Sequence, residues 1–243
     1  MRNISKSWFL LDSISQDFLG EVNPINIAFR TSERGLIMID TGIPGSLNLI
    51  ERELDEAGLS LKLVKSLIIT HHHPDHIGNI NLIHQRYPNI HIYAHKIEIP
   101  YITGEMEVAK GNISIDELRE LFPRVTRKQV EQFYKTQSLV FFNGNLRSIS
   151  ERESGEIPPM LRVIHTPGHT PGHICIYDPQ EKILVAGDLM MYWKGKLRGP
   201  VASFSSNYTL AMRSLKKVLN LEVSTLVGYH GNIYQGNIQN VLE

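Results

Sequence analysis

Cysteine is almost absent from this chain of 243 residues, which contains a single one, Cys175. One thiol cannot form an intramolecular disulfide, and it cannot supply the thiolates of a cysteine-rich zinc module. Any metal site must therefore rely on imidazole and carboxylate ligands. Cys175 lies in an apolar run and is expected to be a small buried hydrophobic residue.

A surplus of either charge is also absent, because 25 Lys and Arg residues balance 25 Asp and Glu residues. The sequence therefore offers no general electrostatic attraction for nucleic acid or an anionic membrane. No apolar run approaches the ~20 residues of a membrane span, and Trp8–Leu11 is too short for the core of a secretory signal. We expect a cytoplasmic protein that acts on a small molecule, without a nucleic-acid or membrane partner.

Histidine is abundant instead, since the chain contains eleven and four of them lie between residues 71 and 76. A lone histidine is usually a surface or hydrogen-bonded residue. Four histidines within six residues are a different case, because packing in an apolar core would not stabilise them. The polar residues fall in four motifs, which together predict a metal site. The motifs are Thr70-His71-His72-His73-Pro74-Asp75-His76, Thr166-Pro167-Gly168-His169-Thr170-Pro171-Gly172-His173, Gly187-Asp188 and Gly228-Tyr229-His230-Gly231.

The first motif follows the apolar run Leu63–Thr70, which predicts a buried strand. Side chains that follow such a strand project from a turn at the carboxyl edge of a sheet, where sites in α/β proteins gather. His71 and His73 can point the same way, whereas Asp75 and His76 come after a turn and can face a second position. Two such positions can hold two metals ~3.5–4 Å apart, and this donor set suits Zn, Mn or Fe.

The spacing of the motifs resembles the metallo-β-lactamase superfamily over essentially the whole chain. The resemblance implies an α/β fold, a four-layer αβ/βα sandwich with the site at one edge between the sheets, as a single domain of residues 1–243. It implies two divalent metal ions, with zinc as the first choice and iron or manganese as alternatives. The family pattern assigns His71, His73 and His169 to the first metal, Asp75, His76 and His230 to the second, and Asp188 to a bridge between them.

Other polar residues near the motifs are expected to support these ligands. His72 stands between two of them and should point away from the metals, so that its loss changes activity little. His165 and His173 flank His169 and are expected to orient its loop by hydrogen bonds. The turn that contains Asp40 packs beneath the metal ligands in the superfamily, which makes Asp40 a supporting residue by resemblance.

Sequence patterns outside the motifs predict alternating strands and helices. Ser46 is expected to begin a helix that Gly58 ends, and Ile77–Tyr87 is expected to form another. Residues 97–160 differ in character, because two capping boxes, at Ser114 and Thr126, predict helices there.

This segment also contains the β-prone run Leu139–Phe142, and we interpret residues 97–160 as a helical insert or lid on the sheet-based domain. Its aromatic side chains could form the wall of an acyl or lactone pocket. They are Tyr101, Phe122, Phe133, Tyr134, Phe141 and Phe142.

The function that the resemblance implies is a dinuclear metal-dependent hydrolase, in which a metal-bridging hydroxide attacks the carbonyl of an ester, thioester or lactone. Asp75 would orient the hydroxide and carry a proton. Tyr192, four positions after Asp188, is a second catalytic candidate, because lactonase-like members place a tyrosine just after the bridging aspartate. The true β-lactamases of the superfamily use cysteine or serine at the bridging position, so Asp188 argues against that activity.

Three alternatives remain open at this stage. A mononuclear iron enzyme that resembles persulfide dioxygenases would use part of the ligand set, and a phosphodiesterase would use all of it. A non-catalytic binding protein is disfavoured because the ligand set is complete.

Overall fold

The computed structural model describes residues 1–109, 111, 113–136, 140–151 and 157–242, and only the backbone of residues 18, 133–136, 240 and 242. Two mixed sheets and a small hairpin contain the strands, which we number in chain order. The larger sheet contains, in spatial order, β1 (Arg2–Asn3), β2 (Trp8–Phe18), β3 (Glu21–Ser32), β4 (Gly35–Ile39), β5 (Val64–Ile69), β6 (His91–His95) and β7 (Leu146–Ile149). The smaller sheet contains β14 (Tyr234–Gln235), β13 (Thr225–Gly228), β10 (Ile183–Gly187), β9 (Ile174–Asp178) and β8 (Arg162–His165). The hairpin consists of β11 (Met191–Trp193) and β12 (Lys196–Arg198).

Helices cover the outer faces of the two sheets. The α-helices are α1 (Leu47–Glu56), α2 (Pro74–Ile77), α3 (Ile80–Arg86), α4 (Ile99–Thr103), α5 (Ile115–Leu121), α6 (Arg127–Thr136) and α7 (Tyr208–Val218). Short 3-10 helices occupy Leu61–Leu63, Ala202–Phe204 and Ile238–Leu242. Among the described residues, no helix combines the length and the apolar character needed to cross a bilayer.

Side-chain alternation along the strands divides the core into layers. On β9, Ile174 and Ile176 face the larger sheet, whereas Cys175 and Tyr177 face the opposite side. Successive side chains of a strand point to opposite faces, so an entirely apolar strand can bury both. Cys175 is fully buried, as the sequence predicted.

Three apolar clusters separate four layers of secondary structure. One packs α1 and α3 on the larger sheet, a second lies between the two sheets, and a third packs α7 on the smaller sheet. This arrangement is the αβ/βα sandwich that the motifs led us to expect, so the predicted fold class is confirmed.

The direction of the strands places the turns that contain the polar motifs at one edge of the two sheets. β5 and β10 run parallel to their partners β4 and β13, and each ends where a motif begins. Thr70 follows β5, Asp188 follows β10, and Tyr229 follows β13. Because the carboxyl ends of parallel strands meet at the same edge, three motifs far apart in the chain converge there.

The segment from residue 97 to 160 contains helices, as predicted, and also a strand of the main sheet. The Ser114 hydroxyl accepts the Glu117 N–H at 3.4 Å, and Thr126 and Gln129 form a reciprocal capping box. The strand prediction at Leu139–Phe142 is wrong for residues 140–142, which have no regular structure, and Leu139 lies outside the described residues. The strand is instead Leu146–Ile149, which pairs in parallel with β6.

The helix predicted over Ile77–Tyr87 is also interrupted. α2 ends at Ile77 and α3 begins at Ile80. Gly78 permits the break because its backbone packs against Gly42 and Pro44, where a Cβ atom would lie only 2.3 Å from the Pro44 nitrogen. Helix propensity alone did not reveal this close approach.

A buried ion pair joins the two sheets. The Asp178 carboxylate is fully buried on β9 and accepts hydrogen bonds from Arg30 Nε at 2.9 Å and from Trp8 Nε1 at 3.0 Å. Arg30 and Trp8 belong to the larger sheet, so this contact fixes the position of one sheet on the other.

We expect Asp178→Ala to lower the free energy of unfolding by about 3–5 kcal/mol, because it leaves Arg30 buried without its counter-ion. Urea denaturation measures the change. Glu222→Ala, which removes an exposed ion pair with Lys182, serves as the control and should shift the midpoint little. If Asp178→Ala lowers the free energy of unfolding no more than Glu222→Ala does, the Arg30–Asp178 pair does not stabilise the packing of the two sheets.

The same pair predicts a pH dependence. Burial alone would raise the pKa of Asp178, but the hydrogen bonds from Trp8 and Arg30 lower it below its usual value. The stabilisation is therefore present at neutral pH and lost as the pH falls through the folded-state pKa. Asp178→Ala should show a shallower decline in stability on acidification than the parent protein.

Candidate metal centre

Four side chains from three separated motifs form the first candidate ligand group. They are His71, His73, His169 and Asp188. His73 Nδ1 lies 3.0 Å from both His71 Nε2 and His169 Nε2, and His169 Nε2 lies 3.3 Å from Asp188 Oδ2. These nitrogen and oxygen atoms point at a common space rather than at separate partners.

Asp75, His76 and His230 form the second candidate group. His230 Nε2 lies 3.3 Å from Asp75 Oδ2 and 3.6 Å from Asp188 Oδ2, and His76 Nε2 lies 3.2 Å from Asp188 Oδ1. Asp188 therefore stands between the two groups, with one oxygen near each of their histidines. The structure brings together all seven residues of the predicted ligand set.

The spacing and chemistry of these donors fit divalent metal ions. Tetrahedral ligands with bonds of 2.0–2.1 Å lie about 3.3 Å from one another, close to the separations observed here. His76 Nε2 and Asp188 Oδ1 are not aligned as donor and acceptor. Both atoms are buried without a hydrogen bond in the described part of the chain. The donor set and its spacing therefore fit divalent metals.

Hydrogen bonds on the far side of the rings fix which nitrogen faces the site. The Asp40 carboxylate accepts the backbone N–H and the hydroxyl of Thr70, both at 2.8 Å, and lies 2.9 Å from His76 Nδ1. Since the carboxylate must accept, His76 carries its proton on Nδ1 and presents Nε2 to the site. The Thr70 hydroxyl in turn lies 3.1 Å from His71 Nδ1. Asp40 thus lies beneath the candidate ligands, as the resemblance implied.

Burial keeps the histidines of the first group neutral. Desolvation and the neighbouring imidazoles lower the pKa of His71 and of His169 well below the usual value, and they lower that of His73 to about 4. A neutral imidazole has a lone pair available for a metal, so these rings do not have to lose a proton at pH 7 before binding.

The second group has the opposite electrostatics. Burial would lower the pKa of His230, but Asp188 and Asp75 raise it to about 9, and carboxylates likewise raise the pKa of His76. Burial would raise the pKa of Asp75, yet His76 and His230 lower it to about 2. The carboxylates therefore favour positive charge at this position, which a metal cation would also supply.

His173 orients the backbone that carries Asp188. Its Nε2 accepts the Asp188 N–H at 3.1 Å, so Nδ1 carries the proton and donates to the Thr166 hydroxyl at 2.8 Å. Gly187 has φ +52°, and a Cβ atom there would lie 2.6 Å from His173 Nε2. Glycine is required at this point because the backbone approaches the ring so closely.

An apolar pocket opens onto both candidate groups. Apart from the candidate ligands, Asn23 and Trp193 are the residues of its described lining whose side chains contain a nitrogen or an oxygen atom. The described lining consists of Asn23, His73, Asp75, Val108, Ala109, Gly111, Leu121, Phe122, His169, Gly187, Asp188, Met191, Trp193, Val201, Phe204 and His230. The wall therefore combines residues of the insert, the β2–β3 hairpin and the β11–β12 hairpin.

The family model of the metallo-β-lactamase superfamily matches residues 20–230. The chain belongs to this superfamily. The match spans every candidate ligand, and the two groups described above lie at the edge between the sheets where the resemblance placed them.

Relatives in the superfamily are similar over most of the chain. A probable metallo-hydrolase of Bacillus subtilis, YflN, is 29% identical over 84% of this chain and 78% of its own length. The hydroxyacylglutathione hydrolase GloC of Haemophilus influenzae is 26% identical over 65% of this chain and 62% of its own length. The crystal structure of the family protein TTHA1429 from Thermus thermophilus matches 99% of this chain and 78% of its own, with 22% identity and a TM-score of 0.70.

Tyr192, the second predicted catalytic residue, does not belong to the described pocket lining. Its neighbours Met191 and Trp193 line the pocket, and side chains alternate along a strand, so Tyr192 faces away. Its ring contacts Tyr234, with 5.2 Å between the ring centroids. The structure thus gives Tyr192 a packing contact and no access to the candidate ligands.

The predicted aromatic residues of the insert have different positions. Phe122 lines the pocket, Tyr101 stacks on His72, Phe142 is in the core, and Phe141 is exposed. The side chains of residues 133 and 134 lie outside the described residues.

Glu98 is a supporting residue that sequence reasoning missed. Its buried carboxylate accepts the backbone N–H of His72 at 2.9 Å, and the Thr170 hydroxyl and the Gly172 N–H at 2.6 Å each. The carboxylate therefore joins the turn of the first motif to the turn that carries His169. Burial would raise the pKa of Glu98, but the contact with the His72 side chain and the hydrogen bonds from Thr170 and Gly172 lower it, so the group is ionised.

His72 extends this network to the pocket wall. As expected, it points away from the candidate ligands, and its Nδ1 contacts Glu98. Its Nε2 accepts the N–H of Ala109 at 3.2 Å, and the Ala109 carbonyl lies 3.3 Å from His73 Nε2. Because both ring nitrogens of His72 are used in a buried position, we no longer expect its loss to change activity little.

We expect Glu98→Ala to weaken metal binding about tenfold or more, because the two turns lose the anion that holds them together. Competition with a chromogenic chelator measures the affinity. Glu98→Gln keeps the shape of the side chain and part of its hydrogen bonding, so its metal affinity should lie between those of Glu98→Ala and the parent protein.

The exposed Glu56 of α1 provides the matched control, since Glu56→Ala removes a carboxylate far from the site. Parent-like metal affinity in a folded Glu98→Ala protein would show that the network has no positioning role.

Proposed function

We propose that this chain is a dinuclear metal-dependent hydrolase that cleaves an uncharged ester, thioester or lactone. The observation that carries the proposal is the position of both candidate ligand groups at the floor of one apolar pocket. The hydrolase names of the curated relatives support the same reaction class. A small molecule is the proposed partner.

The residues present would hold two ions, with His71, His73 and His169 on one, Asp75, His76 and His230 on the other, and Asp188 on both. Divalent ions bound there lower the pKa of water into the neutral range and act as Lewis acids toward a carbonyl oxygen. Zinc, iron and manganese all accept this donor set, and we propose zinc first because imidazole predominates.

Asp75 is the residue proposed to position the attacking water. It lines the pocket, and its Oδ2 lies 3.3 Å from His230 Nε2. With a pKa of about 2 it is ionised at neutral pH, so its carboxylate oxygens can accept a hydrogen bond from an attacking water. The Tyr229 hydroxyl donates to the Asp75 carbonyl and so holds the backbone at this residue.

The pocket wall supports an uncharged substrate. Outside the candidate ligands, none of the described lining residues carries a charge. Outside the candidate ligands, a phosphodiester or a substrate with several carboxylates would meet no cationic side chain of this described wall. The apolar lining favours an acyl group, which gains free energy when it leaves water.

The completeness of the second group favours a dinuclear centre over a mononuclear iron enzyme. Asp75, His230 and His76 place one carboxylate and two imidazole donors within 4.8 Å of one another, which a single-metal oxygenase would not require.

We expect Asp188→Ala to lose both metal and activity, because the Asp188 carboxylate lies within 3.6 Å of histidines of both candidate groups. The kcat/KM for the best ester should fall at least tenfold, about 1.4 kcal/mol of transition-state stabilisation. Elemental analysis of the purified variant should find fewer ions than the two per chain proposed for the parent. The control Asp55→Ala removes an exposed carboxylate of α1 and should match the parent in both measurements.

A substrate panel on one metal-loaded preparation tests the reaction class. Aryl esters, acyl thioesters and acyl lactones should be hydrolysed in a chelator-sensitive manner, whereas a cephalosporin and bis-nitrophenyl phosphate should be turned over poorly. Faster hydrolysis of the phosphodiester would overturn the proposal in favour of a phosphodiesterase. Oxygen uptake with a persulfide and one iron per chain would overturn it in favour of a dioxygenase.

A further inference from the structure

One buried asparagine pairs both ends of the turn that contains His230. Asn26 lies on β3 and is 3% exposed. Its Nδ2 group donates to the backbone carbonyls of Gly228 at 2.8 Å and of Gly231 at 2.9 Å. An asparagine amide nitrogen has two N–H groups, so one side chain can serve two acceptors at once. The segment Gly228–Gly231, which we call the His230 turn, is therefore held at its first and last residues by the same side chain.

The backbone of β3 pairs with the His230 turn as well. The pairing of β4 with β3 stops before Asn26, so this edge of β3 is open to another segment. The Asn26 N–H donates to the Tyr229 carbonyl at 2.8 Å, and the Gly231 N–H donates to the Pro24 carbonyl at 3.1 Å. Because β3 belongs to the larger sheet and the turn follows β13 of the smaller sheet, these contacts join the two sheets beside the second candidate group.

Each member of the second candidate group is in contact with this turn. His230 is part of it. The Tyr229 hydroxyl donates to the Asp75 carbonyl, and the Tyr229 ring packs on that of His76, with 3.6 Å between the ring centroids. The position of the turn, which Asn26 fixes, therefore affects all three proposed ligands of the second ion.

The first candidate group has supporting contacts from other segments. His73 Nε2 lies 3.3 Å from the carbonyl of Ala109, in the insert. The carbonyl of His169 accepts the Ser206 N–H at 3.0 Å. These contacts do not pass through the His230 turn, so they remain when the amide of Asn26 is removed.

We propose that Asn26 is a positioning residue for the second ion, and that loss of its side-chain amide releases this ion while the first is retained. The inference rests on the proposed dinuclear function. Asn26 does not belong to the described pocket lining, so it acts through the His230 turn and not on the substrate.

The expected loss follows from the tolerance of a metal site. Donors have to be held within about 0.5 Å of the binding geometry. Without the Asn26 amide, two buried carbonyls lose a hydrogen-bond donor, which is costly unless the turn moves. A movement of the turn displaces the His230 ring and removes the support that Tyr229 gives to the Asp75 backbone.

Graded chelation of the metal-loaded protein tests the proposal. The parent and Asn26→Leu, which is similar in size but has no N–H group, are dialysed against increasing chelator concentrations, and elemental analysis counts the ions per chain. In Asn26→Leu one ion should leave at a chelator concentration about tenfold or more below that of the parent, and the other at the parent concentration. Asn26→Ala repeats the test in case leucine is not accommodated, and melting curves verify that each variant is folded.

Two controls separate positioning from a general loss of stability. Asp178→Ala removes the buried ion pair between the sheets, and Asp178 pairs with Ile183 at the start of β10, whereas Asp188 follows its end. This variant should be less stable yet release both ions as the parent does. Asn220→Leu removes an exposed asparagine whose Nδ2 donates to the Lys216 carbonyl at 3.1 Å, and it should match the parent in every measurement.

A double variant identifies which ion depends on Asn26. His230→Ala already lacks a proposed ligand of the second ion, so adding Asn26→Leu to it should leave the affinity for the remaining ion unchanged. A further loss in the double variant would show that Asn26 acts on the whole centre, and it would overturn the proposal.

Two other results would also decide the matter. A folded Asn26→Leu protein that releases both ions at the parent concentrations would overturn the positioning role while the dinuclear hydrolase still stood. A parent protein that holds a single ion at full activity would instead overturn the proposed function.

Discussion

Five imidazoles and two carboxylates meet in a space where most of their surface is removed from water, and the surrounding architecture depends on compensating that loss of hydration. Buried charged groups are costly unless they are paired or bind a metal. In the first group desolvation makes the rings neutral, whereas in the second group the carboxylates keep the histidines positive. The two candidate groups thus compensate the loss of hydration in opposite ways, and Asp188 lies beside both of them.

The hydrogen bonds behind the candidate ligands explain why these side chains remain oriented. Asp40 adopts φ +60°, an uncommon conformation for a residue with a side chain, and its carboxylate holds both Thr70 and His76. His173 performs a similar role for the backbone of Asp188, and Glu98 joins the turns of the first two motifs. The Asp40 contacts join turns of the larger sheet, the His173 contact joins turns of the smaller sheet, and the Glu98 contacts join one sheet to the other. The rigidity of the site therefore comes from the two sheets together.

The pocket adds specificity to a centre whose chemistry is general. The candidate ligands would serve any hydrolysable carbonyl, but the hairpins and the insert decide which acyl group fits above them. A described wall that is apolar and carries no charge outside the candidate ligands is a narrower description of a substrate than the metal motifs provide. Membership of the superfamily therefore does not determine the substrate, which depends on elements outside the four motifs.

The sequence by itself determined the donor types and the turns that carry them, because polar motifs at the ends of apolar strands indicate a sheet edge and a metal site. The fold class, the set of seven candidate ligands and the supporting position of Asp40 followed from the resemblance of these motifs to the superfamily. Only the tertiary structure decided that His72 lies buried against Glu98, that Tyr192 faces away from the pocket, and that Asn23 and Trp193 share its wall. These facts depend on strand register and on packing between segments far apart in the chain. A one-residue difference in register reverses the face of every side chain on a strand, and local sequence patterns do not fix that register.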